Sequence, residues 1–302
     1  MRGITLKVIS VCIFVLMATL LKATGNIPAG QLVFFRSIFA IVPVVIYLGW
    51  QRQLVAGFRT GNLPGHVLRG LIGVASMGFG FFAVTKLPLP ESIALGYASP
   101  LLIVAFSALL LKERVHLFRW SAVLVGLIGV GIMLWPRLTV FSGQGPIGNA
   151  ETLGAIAALC GAVCAAFATL QVRRLVHTER TETIVLYFFI TASILALGTI
   201  PFGWVTPTPQ QAIFLVLAGF AGGIAQIIMT ASYRFADMSV IAPFEYTSLL
   251  LGLVVGYLVF GDIPTVAMLV GAAIVIASGI FVILREHRLG LDRRKAREAN
   301  TP

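Results

Sequence analysis

The chain alternates between long apolar runs and short polar breaks over almost its whole length. Turn residues mark several of the breaks, as in Gly25-Asn26-Ile27-Pro28 and Leu87-Pro88-Leu89-Pro90. A helix needs about 20 mainly apolar residues to cross about 30 Å of hydrocarbon. By this criterion the pattern predicts ten membrane-spanning helices, over residues 4–23, 30–50, 66–86, 91–111, 118–136, 152–172, 183–203, 210–233, 238–260 and 264–284.

A long segment of the first half returns in the second half. Lys86 is followed by a short polar step, an apolar span and then Glu113. The second half runs in the same order from Arg234 to Asp262, at offsets of 148 and 149 residues. A long segment that recurs after half the length indicates two copies of one structural unit.

Five spans in each copy fix how the copies relate to each other. Because five is an odd number, the second copy enters the membrane inverted, an arrangement from which alternating-access carriers are built. The predicted fold is an all-α integral membrane protein with ten transmembrane helices in two inverted five-helix repeats. Its predicted parts are a first repeat, an extracytoplasmic linker, a second repeat and a basic cytoplasmic tail, at 1–136, 137–151, 152–284 and 285–302.

Composition supports a membrane location. Charged residues make up 11% of the chain and hydrophobic residues 58%, whereas a soluble domain has about 25% charged residues. A net charge of +11 would indicate nucleic acid in a soluble protein, but here the basic residues lie between apolar runs. We therefore expect the lipid bilayer and a small-molecule substrate as partners, and no nucleic acid. The three cysteines lie in apolar runs, which predicts no metal site and no cofactor.

The basic residues predict the orientation. With the N-terminus in the cytoplasm and the spans alternating, 18 of the 22 Lys and Arg residues fall on the cytoplasmic side. Lys22, Lys86 and Arg137 fall outside, and Arg36 lies within a span. Because cytoplasmic loops are enriched in Lys and Arg, both termini are predicted to be cytoplasmic, in a multi-pass protein of the bacterial inner membrane. A self-contained ten-span bundle is expected to be a monomer or a weak homodimer.

Several short motifs carry a family resemblance. They are Phe34-Phe35-Arg36, Leu68-Arg69-Gly70, Ser99-Pro100-Leu101 with Lys112-Glu113-Arg114, and Ala242-Pro243-Phe244 with Phe260-Gly261-Asp262. From about residue 4 to residue 284 the chain resembles an EamA-type transporter of the drug/metabolite transporter superfamily. Asp262 departs from the pattern, since these proteins more often have glutamate there.

The resemblance implies a secondary transporter with a cavity between the halves, lined mainly by spans 1, 3, 4, 6, 8 and 9. The Leu-Arg-Gly and Ala-Pro-Phe stretches are most similar to carriers of the riboflavin or S-adenosylmethionine type. Uptake of riboflavin or a similar planar cofactor-type metabolite is therefore the first expectation. The alternative is export of amino acids or amino-acid derivatives, because the family also contains such exporters.

Glu245 is the most informative single candidate. It lies within the ninth span, two residues after Pro243, and a carboxylate there is costly unless it is protonated, paired or hydrated. It is predicted to bind a polar substrate group or a coupling proton. The other interpretation is an ion pair with Arg234 or Lys7 near the interface.

Polar and aromatic residues within the spans fit a pocket for a planar organic molecule. Packing or contact with lipid is the alternative for each aromatic residue. Together with Glu245, the predicted substrate-binding residues are Thr19, Met77, Phe79, Tyr97, Ser99, Phe167, Gln171, Gln226, Met229, Tyr233, Tyr246 and Ser248.

Four charged residues are candidates for coupling or gating: Glu245, Arg36, Glu113 and Asp262. Arg36 is expected to form a structural ion pair or to contact backbone carbonyls, with substrate binding as the alternative. Glu113 and Asp262 either hold helix ends together in one conformation or are solvated loop charges. Lys22 and Lys86 are expected near the outer mouth, with Glu91 as a possible partner.

Other functions receive less support. A membrane enzyme needs clustered His, Asp or Glu residues, and the four histidines are scattered among basic loops, so the chain is predicted not to be an enzyme. The sequence has no glycine-rich nucleotide-binding loop with a lysine, so an ATP-driven pump is not supported. It has no repeated filter sequence either, so a channel is not supported.

Overall fold

The computed structural model describes residues 2–110, 117–135, 150–175, 178–235, 244 and 247–299, and this part of the chain contains helices and no β-strand. A short 3₁₀ turn covers Ile200–Phe202. The α-helices are α1 Arg2–Ala23, α2 Ala29–Trp50, α3 Leu54–Gly57, α4 Leu63–Lys86, α5 Leu89–Gly96, α6 Ala98–Leu110, α7 Leu117–Leu134, α8 Ala150–Leu175, α9 Thr181–Leu197, α10 Pro209–Phe235, α11 Thr247–Phe260 and α12 Val266–Ala299.

Helix length and composition confirm a membrane protein. Among the described residues, α1, α2, α4, residues 150–172 of α8 and residues 209–229 of α10 are long and apolar enough to cross a bilayer. Shorter apolar helices cover Trp120–Met133, Glu182–Leu197, Thr247–Phe260 and Val266–Phe281. The all-helical class is therefore confirmed, and the number of ten spans stays a prediction.

The predicted fourth span, 91–111, is not one continuous helix. It divides into α5 and α6, with Tyr97 between them at φ −70° and ψ −4°. Pro100 lies in the first turn of α6 and has no N–H to donate to a carbonyl of α5. The N–H of Tyr97 instead closes a tighter turn to the carbonyl of Ala94, at 3.1 Å. The break leaves the Tyr97 side chain at a bend in the span.

Helices of the first half pack mainly on helices of the second half. The largest interfaces join α1 to α10, α4 to α8 and α7 to α12, and α2 also packs on α10 and α9. The short helix α5 packs on both α8 and α11. Buried apolar side chains fill these interfaces, so the two halves form one helical bundle.

Glycines allow the closest helix approach. A Cβ atom added at Gly129 of α7 would lie 2.7 Å from the carbonyl oxygen of Gly271 in α12, and the reverse substitution would bring the same crowding. A Cβ at Gly223 of α10 would lie 2.7 Å from the carbonyl oxygen of Ala40 in α2. Close backbone packing of this kind stabilises helix pairs in lipid, because the hydrophobic effect does not drive helices together there.

Candidate transport site

An ion pair joins the ends of α1 and α11. Lys22 Nζ lies 2.7 Å from Asp262 Oδ2 and also donates to the carbonyl oxygen of Leu87, at 3.2 Å. The same Asp262 oxygen accepts the N–H of Leu89, at 3.0 Å. These residues form what we call the Lys22 clamp, which fastens α1, α11 and the turn between α4 and α5 to one another.

Local sequence explains how Asp262 reaches this position. Gly261 has φ +68°, the left-handed conformation that commonly ends a helix. The N–H of Gly261 then bonds the carbonyl of Tyr257, and the N–H of Asp262 bonds that of Gly256, which folds the chain back over the last turn of α11. A residue with a Cβ at position 261 would be strained in this conformation. Glu91 was a possible partner of Lys22 or Lys86, and the structure shows an ion pair between Lys22 and Asp262.

A hydrogen bond at the bend in the fourth span joins it to α11. The hydroxyl of Tyr97 contacts Ser248 Oγ, and either oxygen can act as donor. Tyr97 is buried and Ser248 partly buried. Two of the residues predicted to bind substrate, 151 positions apart, therefore meet at one point between the halves.

The other described pocket candidates lie on several helices. Thr19 donates to the carbonyl of Val15 in its own helix, at 2.8 Å. Phe167 stacks on Phe106, with ring centroids 4.4 Å apart. Phe79 is 41% exposed, and its Cβ atom lies beside Gly161 of α8. Four further residues are partly buried on α6, α8 and α10, namely Ser99, Gln171, Gln226 and Met229.

Some candidates fall outside the part of the chain that the structure describes. These are Glu113, Glu245 and Tyr246. Tyr233 lies in α10, but its side chain is outside the described set as well. Their roles stay predictions.

Arg36 is buried, and its contacts differ from those expected. Its Nη1 lies 3.2 Å from Met77 Sδ, its Nε lies 3.5 Å from Met17 Sδ, and its guanidinium lies 4.9 Å from the centroid of the Phe189 ring. No carboxylate or carbonyl oxygen of the described residues accepts a hydrogen bond from it. The contact between Arg36 and Met77 brings together two predicted site residues.

Arg69 was not among the predicted site residues. It is partly buried on α4, with its guanidinium carbon 3.8 Å from the centroid of Phe188. Its Nε and Nη1 are inaccessible to solvent and have no hydrogen-bond acceptor. The signal in the sequence was a basic residue four positions into a predicted span, which indicates a charge on the cytoplasmic side and forms part of the Leu68-Arg69-Gly70 motif.

A second cluster lies at the opposite end of α4. Glu179 Oε1 accepts hydrogen bonds from Thr60 Oγ1 at 2.8 Å and from the N–H groups of Gly61 and Asn62, both at 3.0 Å. His66 Nε2 lies 3.5 Å from Glu179 Oε2. Burial raises the pKa of the Glu179 carboxyl, but the hydrogen bonds from Thr60, Gly61 and His66 lower that pKa more, so it lies below the ordinary glutamate value. The cluster ties the loop before α4 to the loop before α9.

A groove on the α7–α12 pair is unrelated to these clusters. Its volume is about 340 Å³, and none of the predicted site residues lines it. Its lining is mainly apolar, with Ser121 and Ser278 as the polar residues. It therefore gives no support to the predicted binding site.

Comparison with known proteins places this geometry in a family. The profile of the EamA-like transporter family matches residues 1–135 and 152–285. This chain belongs to the EamA-like transporter family. The resemblance stated from the sequence motifs is thereby confirmed, as is the general assignment to membrane transporters.

Characterised relatives of this EamA-like chain differ in what they carry. The chain is 28% identical to the pseudopaline exporter CntI of Pseudomonas aeruginosa, over 92% of this chain and 94% of that protein. It is 26% identical to an S-adenosylmethionine uptake transporter of Rickettsia prowazekii, over 84% and 82%. It is 30% identical to a riboflavin transporter of Vibrio cholerae, over 82% and 78%.

A solved crystal structure supports the fold. It superposes with a TM-score of 0.66 at 23% sequence identity, covering 95% of this chain and 98% of the other. At this identity the likeness concerns the fold alone.

Proposed function

We propose that this chain is a secondary transporter that moves a small organic metabolite across the bacterial inner membrane by alternating access. The packing between the halves carries this proposal. If the spans of the first half are exchanged with those of the second, the α1–α10 interface becomes the α8–α4 interface, and these are two of the largest in the bundle. The α2–α9, α5–α11 and α7–α12 pairs map onto themselves. This symmetry supports two inverted five-helix repeats around a central site.

The Lys22 clamp is proposed as the extracytoplasmic gate, closed in this conformation. Its orientation follows from the excess of basic residues on the side of the two termini. Asp262 corresponds by the 149-residue offset to Glu113, and the same offset brings the counterpart of Lys22 to within two residues of Arg173. The inverted repeat therefore predicts a second gate, between Glu113 and Arg173 or its neighbour, that closes the cytoplasmic side when the Lys22 clamp opens.

Two substrate classes fit this transporter. Uptake of riboflavin or a similar planar metabolite agrees with the aromatic residues of the spans and with the Vibrio cholerae relative. Export is the direction of transport named for the pseudopaline exporter of Pseudomonas aeruginosa. A specific observation favours export of an amino-acid derivative, because Arg36 and Arg69 present buried positive charge to which no carboxylate of the described residues is bonded.

Flux through the purified protein in proteoliposomes tests the proposal. Labelled riboflavin is offered with and without an imposed pH gradient, and counterflow is then measured with S-adenosylmethionine and pseudopaline. Saturable flux of one of them, reduced in Glu245→Gln, supports the transport cycle and identifies the class. A pH-gradient effect that Glu245→Gln removes assigns the coupling proton to Glu245.

Protein-free liposomes and the exposed-loop variant Arg59→Gln are the controls. Flux that is equal in protein-free liposomes, for every compound, would overturn the proposal. Flux that survives unchanged in Glu245→Gln would leave transport standing and remove Glu245 from the cycle.

A further inference from the structure

Two arginines lie near one another inside the bundle, on different helices. Arg36 rests against Phe189 and Arg69 against Phe188, and the centroids of these neighbouring rings are 5.3 Å apart. Two like charges held together in an apolar surrounding repel each other, and neither is neutralised by a described carboxylate.

The hydrogen-bonding capacity of the pair is largely unused. A guanidinium carries five N–H donors. The polar contacts of Arg36 are two thioether sulfurs, which are weak acceptors, and Arg69 has two enclosed nitrogens with no acceptor. Aromatic faces offset part of the charge but accept no strong hydrogen bond. Ionisable groups inside membrane spans normally pair or line a substrate path, so the donors that no described residue meets are available to an acceptor from outside the chain.

Glycines hold the space around both guanidinium groups. A Cβ atom at Gly222 would lie 3.0 Å from Arg36 Nε and 2.9 Å from Met17 Sδ. A Cβ at Gly73 would collide with Arg69 Nη1 and lie 2.8 Å from the Phe188 ring. Gly222 of α10 faces Arg36, and Gly73 lies one turn beyond Arg69 on α4 itself, so a side chain at either position would crowd a guanidinium group.

The helices around Arg36 indicate which part of the bundle the arginine pair faces. Its own helix, α2, is expected at the periphery, but its guanidinium lies between Met17 of α1, Met77 of α4 and Gly222 of α10. These three helices are spans 1, 3 and 8, which the family resemblance assigns to the cavity. Arg69 remains partly accessible. The pair thus lies at the edge of the proposed substrate path and not on the surface of α2 that faces lipid.

We propose that Arg36 and Arg69 form a subsite for a carboxylate group of the transported metabolite. A carboxylate supplies two oxygens that match the guanidinium fork and cancels the repulsion within the pair. The inference rests on the proposed transport function and narrows its substrate class to metabolites that carry a carboxylate, amino-acid derivatives among them. A neutral flavin offers oxygen acceptors but no negative charge to neutralise the pair.

Binding to the purified protein in detergent tests the subsite without requiring flux. The probes are hippurate and glutarate, each compared with its neutral amide, and the measurement is the shift in melting temperature as the probe concentration rises. Wild-type protein is expected to be stabilised saturably by the carboxylates and not by the amides. Arg36→Met and Arg69→Gln are each expected to weaken the apparent affinity by about tenfold to a hundredfold, since a charge-assisted hydrogen bond is lost.

Matched variants keep the test decisive. Arg59→Gln removes the same charge from an exposed loop and is expected to leave the affinity unchanged. Arg36→Lys keeps the charge without the fork, and Gly222→Ala keeps the arginine but crowds it; each is expected to weaken binding even if Arg36→Met does not fold. Equal shifts with carboxylates and amides, or equal shifts in Arg36→Lys, Gly222→Ala and wild type, would overturn the proposal.

Three further outcomes distinguish a lipid headgroup from a substrate, and the subsite from the transport function. Stabilisation by phosphatidylglycerol in mixed micelles, without any effect of hippurate or glutarate, would assign the pair to a lipid headgroup and overturn the substrate subsite. Saturable flux of riboflavin with no carboxylate binding would overturn the subsite while leaving the transport function intact. Carboxylate binding that depends on both arginines, with no flux of any compound, would support the subsite and count against transport.

Discussion

Lys22 and Asp262 are 240 residues apart in the chain, and their charged groups lie 2.7 Å apart at one end of the bundle. Both side chains are more than four-fifths buried, at 16% and 17% exposure. Each has further partners, so the pair is part of a network that holds α1, α11 and the α4–α5 turn together. An ion pair in this position opens at lower cost than a fully enclosed pair, which suits a gate that forms and breaks in each cycle.

Removing one partner of the Lys22 clamp is expected to loosen this end of the bundle. Lys22→Met or Asp262→Asn leaves the other charge partly desolvated, at a cost of roughly 1–3 kcal/mol. The reversed pair, Lys22→Asp with Asp262→Lys, is expected to recover part of that loss. Thermal unfolding in detergent of the wild type, the two single variants and the double variant Lys22→Met/Asp262→Asn gives the coupling energy of the pair.

Lys86→Met is the matched control for the clamp, since Lys86 faces the Phe82 ring at 5.8 Å and not Asp262. A coupling energy near zero between Lys22 and Asp262 would show that the ion pair does not stabilise this conformation. Modification of Ser92→Cys by a membrane-impermeant maleimide, in a background without the native cysteines, is expected to speed up when the clamp is broken. An unchanged rate would argue against a gate.

The hydrogen bond between Tyr97 and Ser248 is expected to couple the bend of the fourth span to α11. Tyr97→Phe and Ser248→Ala should each lower the free energy of unfolding by about 1 kcal/mol. Because both substitutions remove this bond, the loss of stability in the double variant should be smaller than the sum of the two single losses. Tyr47→Phe, on α2, removes a hydroxyl for which the structure gives no hydrogen bond and is expected to be neutral. Additive losses would show that the two hydroxyls act independently.

Stability is expected to depend on Glu179 in the acid range. Its carboxyl has a lowered pKa in the folded protein, so the stabilisation is fully present above the ordinary glutamate pKa and is lost as the pH falls through the lowered folded-state value. Glu179→Gln should flatten the profile of melting temperature against pH below about pH 4.5, the ordinary pKa of a glutamate. Glu182→Gln is a nearby comparison on α9. Identical acid profiles for wild type and Glu179→Gln would contradict the prediction.

Gly129 and Gly131 provide a matched pair on α7. Gly129→Ala places a methyl group against the backbone of Gly271 and is expected to cost roughly 1–3 kcal/mol through overpacking of α7 on α12. A Cβ at Gly131 would meet no atom within 4 Å, so Gly131→Ala should be neutral or stabilise the helix by up to about 1 kcal/mol. Thermal unfolding of the two variants compares them directly, and equal melting temperatures would contradict the close helix contact.

The apolar pattern predicted the helical membrane class because the requirement for satisfied backbone hydrogen bonds in lipid applies to each span separately. A stretch of about 20 apolar residues must form a helix to satisfy its own backbone in hydrocarbon. The predicted spans at 4–23 and 30–50 therefore agree with α1 and α2 to within two residues at each end. The fourth span is bent for an equally local reason, because Pro100 interrupts the backbone hydrogen bonds inside an otherwise apolar run.

Contacts between side chains from distant spans were much less predictable. Periodicity places Lys22 at the end of one helix and Asp262 after another, but their pairing depends on how α1 packs beside α11. Arg36 was expected to find an oxygen, and it lies against two sulfurs and an aromatic ring instead. Arg69 received no role because a single basic residue near the end of a span reads as an interfacial charge until its neighbours are known.

The sequence by itself determined the helical class, the membrane environment, the repeated pattern and the family, because each depends on hydrophobicity, spacing or short motifs along one chain. Tertiary structure decided which polar groups meet, namely Lys22 with Asp262 and Tyr97 with Ser248. It also placed Arg36 and Arg69 against neighbouring aromatic rings, with no carboxylate of the described residues bonded to either. The physical reason is that a bilayer acts on every span separately, whereas an ion pair, a hydrogen bond or an unmet charge exists only after the spans have packed against one another.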